Sequence, residues 1–216
     1  MRVVILISGR GSNMRALLEA KLPVQFVCVI SNKADAPGLQ TAAAHDVPTE
    51  VLEHRAFPDR GRFDAALAAR IDAYQPDFVV LAGFMRILSD TFVRHYANRL
   101  INVHPALLPA FPGLDTHARA IAAGVKLHGC TVHFVTPEVD AGPIIAQAAV
   151  PVLADDTPHS LAARVLRQEH RIFPLVLRWL AQGRVHLRDD GTVAVMPDQS
   201  VDADAALISP PACPAD

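Results

Sequence analysis

The sequence predicts an α/β fold, a doubly wound and mostly parallel sheet with helices on both faces. Three observations carry this. The runs VVILI (3–7) and DFVVLAG (77–83) are short and mostly apolar, and RLINVH (99–104) reads as a further strand opening on apolar residues. Strands that are apolar on both sides need cover on both faces, which is the situation of a parallel sheet. The segments between the early strands include amphipathic helical runs, the alternation that builds β-α-β units.

In order, VVILI (3–7) reads as a buried strand and SNMRALLEAK (12–21) as a helix with Ser12 or Asn13 near its cap. VQFVCVIS (24–31) is a second strand and GLQTAAAHD (38–46) a short helix. FDAALAARIDAY (63–74) has apolar residues at helical spacing. The strands at 77–83 and 99–104 follow. From residue 126 the pattern changes: KLHGCTVHFVT (126–136) and GPIIAQAAVPV (142–152) read as neighbouring strands, antiparallel across a loop. Residues 157–183 read as one long helix, in which Pro174 is expected to bend or interrupt the backbone. The expected organisation is one catalytic domain, 1–196, followed by a Pro/Ala/Asp-rich tail, 197–216, that packs weakly.

The 216 residues are 51% hydrophobic and carry a formal net charge of -2. A sizeable core is available, and no basic block suggests a nucleic-acid partner. The three cysteines, Cys28, Cys130 and Cys213, are far apart and odd in number, which argues against a disulfide framework. The N-terminal apolar run is five residues, too short for a signal-peptide core or a membrane span. A cytoplasmic protein with no membrane partner is expected.

Three local patterns carry chemistry. SGRGSN (8–13) follows a strand and opens a helix, where Gly9 and Gly11 allow close backbone approach and free N–H groups face an anion. It is neither a Walker loop nor a dinucleotide fingerprint, since Met14 stands where the third glycine would fall. Asn102 and His104, two apart on a strand, point to one side. An amide that donates to a developing oxyanion and a side chain that titrates near neutrality suit attack on a carbonyl carbon. The prolines at 105, 109 and 112 then stiffen the wall of that site. Alone, Asn-x-His is more commonly a capped strand end. Asp140, in a turn flanked by Gly and Pro, is a carboxylate that would support an imidazolium if the fold brought it near His104, or else a solvated turn residue. A metal site built from His104, His117, His128, His133 and Asp140 is disfavoured by spacing, because His128 and His133 face opposite sides of a strand.

The segments ISGRGSN, SNKADAPGL, LAGFMRIL, INVHPALLPAFPGLDTH, HGCTVHFVTPEVDAGPII and QEHRIFP occur in one order. Together they resemble the phosphoribosylglycinamide formyltransferases, folate-dependent enzymes of purine synthesis, over about residues 1 to 187. The resemblance implies a formyltransferase-type Rossmann-like fold. It implies transfer of a formyl group from 10-formyltetrahydrofolate, as donor co-substrate, to the amine of glycinamide ribonucleotide, without a metal. Asn102, His104 and Asp140 match the family's catalytic residues. Gly11, Ser12 and Asn13 match its substrate-phosphate segment, and Glu169 matches a substrate-contacting glutamate. Arg60, Met85, Arg86, Ile87 and Leu88 match the folate segments, with Asn102 and with Thr136, Pro137, Glu138, Val139 and Asp140, which border the pterin. Small-molecule partners and a monomer or weak homodimer are expected. Ala106 and Ala141 depart from the family pattern without removing a catalytic group; Leu166 stands where a polar, substrate-contacting residue can occur, so no contact is assigned there, and Asp115, where some members have histidine, is assigned no role. The alternatives are a formyltransferase with another amine acceptor, a deformylase that uses water, and a folate-binding protein without turnover.

Overall fold

The computed structural model describes residues 1–196; the expected tail, 197–216, lies outside the described residues. The chain runs β1 (Arg2–Ile7), α1 (Ser12–Glu19), β2 (Gln25–Ser31), α2 (Gly38–Ala43), β3 (Thr49–Val51), a 3-10 turn (His54–Ala56), α3 (Arg60–Ala73), β4 (Phe78–Leu81), α4 (Asp90–His95) and β5 (Leu100–His104). It continues through α5 (Thr116–Ala122), β6 (Leu127–Phe134), β7 (Ile144–Pro151), α6 (Pro158–Ala181), β8 (Val185–Leu187) and β9 (Val193–Val195). Seven strands form one sheet in the order β3-β2-β1-β4-β5-β6-β7, and β8 and β9 form a separate antiparallel pair.

The pairs from β3 through β5 are parallel. At β5 the sheet changes sense: β6 pairs antiparallel to it, and β7 antiparallel to β6. The apolar strand β1 lies inside the sheet between β2 and β4, and Val3 to Ile7 are fully buried. Its odd residues pack with Met14 and Leu17 of α1, Ala120 of α5 and the buried face of α6. Its even residues pack with Phe63, Leu67 and Ile71 of α3 and Phe92 and Tyr96 of α4. Helices therefore cover both faces, as the sequence predicts. Among the described residues no helix is long and apolar enough to cross a membrane.

Two local expectations are corrected. Helix α1 begins at Ser12, next to its cap as expected, but neither Ser12 nor Asn13 caps it. Its N-cap is Gly11, in the left-handed region at φ 68°, and no side chain caps it. A Cβ at Gly11 would also meet Gly38 Cα at 3.2 Å, so glycine makes both the turn and the close approach. Of the two effects expected of Pro174, interruption does not occur: α6 spans Pro158–Ala181 with Pro174 inside. The bond that its missing N–H would make is lost, but Phe173, Pro174, Val176 and Leu177 are all buried, and that burial outweighs the loss. The helix starts on a capping box, with Thr157 Oγ1 accepting the Ser160 N–H and Ser160 Oγ accepting the Thr157 N–H.

Candidate active site

Strand β5 ends at the seam between the parallel and antiparallel halves. Asn102 and His104 lie on one face of it, opposite His133 and Thr131 of β6. His104 is buried. Its Nδ1 stands 3.3 Å from Asp140 Oδ2, and its Nε2 stands 3.0 Å from the Phe111 carbonyl oxygen. Both ring nitrogens face acceptor oxygens.

The proline-rich loop after β5 supplies two backbone groups to this arrangement. The Phe111 carbonyl engages His104, and the Gly113 N–H donates to Asp140 Oδ2 at 2.8 Å. The loop is tied down by Thr131, whose Oγ1 donates to the Ala106 carbonyl and accepts the Leu108 N–H. Asp140 has a left-handed backbone, φ 54°, in a loop folded back over the sheet between β6 and β7. Its side chain is 11% exposed. The loop closes on Gly142, where a Cβ would stand 1.9 Å from the Phe134 carbonyl oxygen.

His133, considered from sequence only as a metal ligand, belongs to the same cluster. Its Nε2 is 3.4 Å from Asn102 Nδ2 and 3.8 Å from Asp140 Oδ1. Its Nδ1 lies 2.8 Å from the Phe134 carbonyl oxygen, so Nδ1 carries the hydrogen and Nε2 is an acceptor. Burial pushes its pKa down, and the ring is neutral at neutral pH. No sequence signal pairs His133 with Asn102; the β5–β6 register does. Among the described residues, no group of three His, Cys, Asp or Glu side chains could hold a metal ion.

The turn after β1 forms a second part of the site. Asn13 and Glu169, 156 positions apart, meet where α1 lies against α6: Asn13 Nδ2 donates to Glu169 Oε2 at 2.7 Å. Both are buried, and Asn13 Oδ1 has no partner among the described residues. Burial raises the Glu169 pKa, and the Asn13 hydrogen bond only partly opposes it. Gly11 and Ser12 lie at the helix start beside them.

The loop after β4 exposes apolar side chains, with Met85 68% and Ile87 64% exposed. The Arg86 guanidinium lies over the Phe63 ring, 5.5 Å from its centroid, and its Nε is buried without a partner among the described residues. Leu88 and Val135 pack against the same core cluster, which brings the roots of the 85–88 and 136–140 loops to one face of the sheet. In the second loop, Pro137, Glu138 and Val139 are exposed, and Thr136 Oγ1 donates to the Glu138 carbonyl. Arg60 is exposed at the first position of α3, three residues before Phe63.

An Asn-His-Asp group built around the buried His104, a glycine turn opening a helix and a loop with exposed apolar side chains thus lie around strands β1, β4 and β5. The model of the formyl transferase family matches residues 1–177. This chain is a member of the formyl transferase family. Phosphoribosylglycinamide formyltransferase of Escherichia coli (strain K12) is 50% identical over 194 residues, 88% of this chain and 92% of the relative. The crystal structure of glycinamide ribonucleotide transformylase 1 from Symbiobacterium toebii matches with a TM-score of 0.88 and 46% identity, covering 91% of this chain and 94% of that one. A second branch of formyl-folate chemistry is also similar. A formyltetrahydrofolate deformylase from Pseudomonas syringae pv. tomato matches with a TM-score of 0.84 and 32% identity, over 91% of this chain but 66% of that one. The formyl transferase sheet, mostly parallel with an antiparallel end, is the one described above.

Proposed function

We propose that this formyl transferase moves the formyl group of 10-formyltetrahydrofolate to the amine of glycinamide ribonucleotide, a step of purine biosynthesis. The observation that carries the reading is Asp140 at 3.3 Å from His104 Nδ1, with Asn102 two residues away on the same strand face. The identity to the E. coli enzyme selects the acceptor.

The substrate amine attacks the formyl carbon, a C–N bond forms, and the carbonyl electron pair moves onto oxygen. Asn102 donates to that oxygen through the N–H not directed at His133. A donor of this kind contributes about 3–4 kcal/mol to the transition state. Collapse breaks the bond to the folate N10, which takes a proton as the former amine loses one. His104, or water held beside Asp140, relays it, and Asp140 supports the charged ring. His104 reaches the oxyanion by exchanging its Phe111 contact for the substrate.

Gly11, Ser12 and Asn13 hold the ribonucleotide phosphate at the start of α1, and Glu169 binds the same substrate. Met85, Ile87 and Leu88, with residues 136–140, bracket the pterin, while Arg60 and Arg86 offer charge to the rest of the folate. The enzyme works in the cytoplasm, without a metal, as a monomer or weak homodimer.

The test is spectrophotometric release of the folate product, with and without glycinamide ribonucleotide. Product that requires the ribonucleotide supports the proposal. Product formed equally without it overturns the acceptor and points to deformylation.

A further inference from the structure

Ser8 lies outside the proposed catalytic group and just before the phosphate turn, yet its hydroxyl is a junction. It is 4% exposed. The Met85 N–H donates to Ser8 Oγ at 2.8 Å, and Ser8 Oγ donates to Asn32 Oδ1 at 2.6 Å. Asn32, 3% exposed just after β2, has its Nδ2 3.1 Å from His54 Nδ1 in the 3-10 turn. The Ser8 N–H donates to the Gly83 carbonyl at 3.1 Å. One buried polar chain therefore crosses the carboxyl edge of three adjacent strands, from the loop after β4, over β1, to β2.

A buried hydroxyl carries one hydrogen, and here Asn32 takes it. This fixes the rotor and leaves a Ser8 lone pair facing the Met85 amide. The side chains of Met85 and Ile87 are exposed, so at Met85 the loop is held by its backbone bonds to Ser8, while Arg86 over Phe63 and the packing of Leu88 hold its far end. Gly9 to Asn13 follow directly. A single residue joins the loop assigned to one substrate with the loop assigned to the other.

We propose that Ser8 is a positioning residue for the formyl donor: its hydroxyl, locked by Asn32, holds the Met85 backbone and sets the donor loop against the ribonucleotide turn. This rests on the folate reading of residues 85–88.

The test combines two-substrate kinetics with hydrogen exchange on Ser8→Ala and Ser8→Thr. Ser8→Ala leaves the Met85 amide unpaired, and KM for 10-formyltetrahydrofolate rises about tenfold. The kcat at saturating donor and the KM for glycinamide ribonucleotide stay within about twofold. Ser8→Thr restores the hydroxyl and the donor KM. Exchange of the Met85 amide accelerates in Ser8→Ala and not in Ser8→Thr. If Ser8→Ala fails to fold, Ser8→Cys, close in shape but a weak acceptor, raises the donor KM in the same direction. An unchanged donor KM in folded Ser8→Ala or Ser8→Cys, or an equal loss in both substrates' kinetics, overturns the proposal. Wild-type protein without formyl transfer to the ribonucleotide overturns the functional reading instead. In that case unaltered Met85 exchange in Ser8→Ala separately overturns the role of Ser8.

Discussion

Asn102 Nδ2 faces His133 Nε2 across the β5–β6 pair at 3.4 Å, and that contact decides which way the amide points. His133 can accept because its other nitrogen is tied to the Phe134 carbonyl and because burial keeps it neutral. An amide nitrogen has two hydrogens, so one is spent on orientation and the other remains for the oxyanion. His133→Leu frees the amide to rotate. We expect kcat to fall about tenfold with both KM values little changed, the pattern of an interaction made mainly in the transition state. A His133→Leu enzyme with full kcat would remove His133 from the site.

Direct removal of the proposed chemistry is more severe. Asn102→Ala should lower kcat by about 10²–10³-fold. His104→Ala should lower it by about 10²–10⁴-fold. Circular dichroism and melting should show folded protein in both. Near-normal turnover in either variant would contradict the role given to that residue.

Glu169 sets stability against binding. Its folded-state pKa is raised above the ordinary 4.5 by burial, so its charged form is disfavoured in the folded protein. The folded state therefore binds the proton more tightly than the unfolded chain, and this stabilising contribution is complete below 4.5. It is lost as pH rises through the raised value. Glu169→Gln keeps a carbonyl for the Asn13 N–H and removes the charge. Its Tm should exceed that of the wild type at pH 8, and the gap should close toward pH 4.5. In the same variant KM for the ribonucleotide should rise. A constant Tm difference across this range would refute the assignment.

His128 has the opposite sign. Both its ring nitrogens are buried without a partner among the described residues, and its ring lies against Phe111 and His117. Burial, and then the neighbouring His117, lowers its pKa from 6.5 to about 4. The unfolded chain takes up this proton first, so stability present above pH 6.5 is lost as pH falls toward 4. A difference of this size corresponds to on the order of 3 kcal/mol. Denaturant titrations from pH 7 to 4 should show a smaller acid slope for His128→Phe than for wild type. Equal slopes would mean that His128 titrates normally.

The central sheet is legible because β1 and β4 are continuous apolar runs that only a two-sided cover can bury, and β5 opens as one. Helix α6 is legible from its length and period, and it runs through Pro174 without interruption because the burial of the neighbouring residues outweighs the local backbone cost. The three-residue strands β3, β8 and β9 and the short helices α4 and α5 carry too little periodicity to read. In the site, alternation on β5 placed Asn102 and His104 on one side. The meeting of Asp140 with His104, of Asn13 with Glu169 and of His133 with Asn102 depends on contacts between distant segments. For the first two pairs only the resemblance pointed to shared sites. For the third nothing in the sequence did.

Gly142 touches none of the reacting groups, but the room it leaves has a consequence for mutational tolerance. Any side chain there would run into the Phe134 carbonyl, and the backbone would have to move at the segment that carries Asp140. In a saturation library selected for growth without purines, position 142 should be as intolerant as position 140. The Asp-x-Gly spelling then records two separate demands, one from chemistry and one from the space a single oxygen atom occupies.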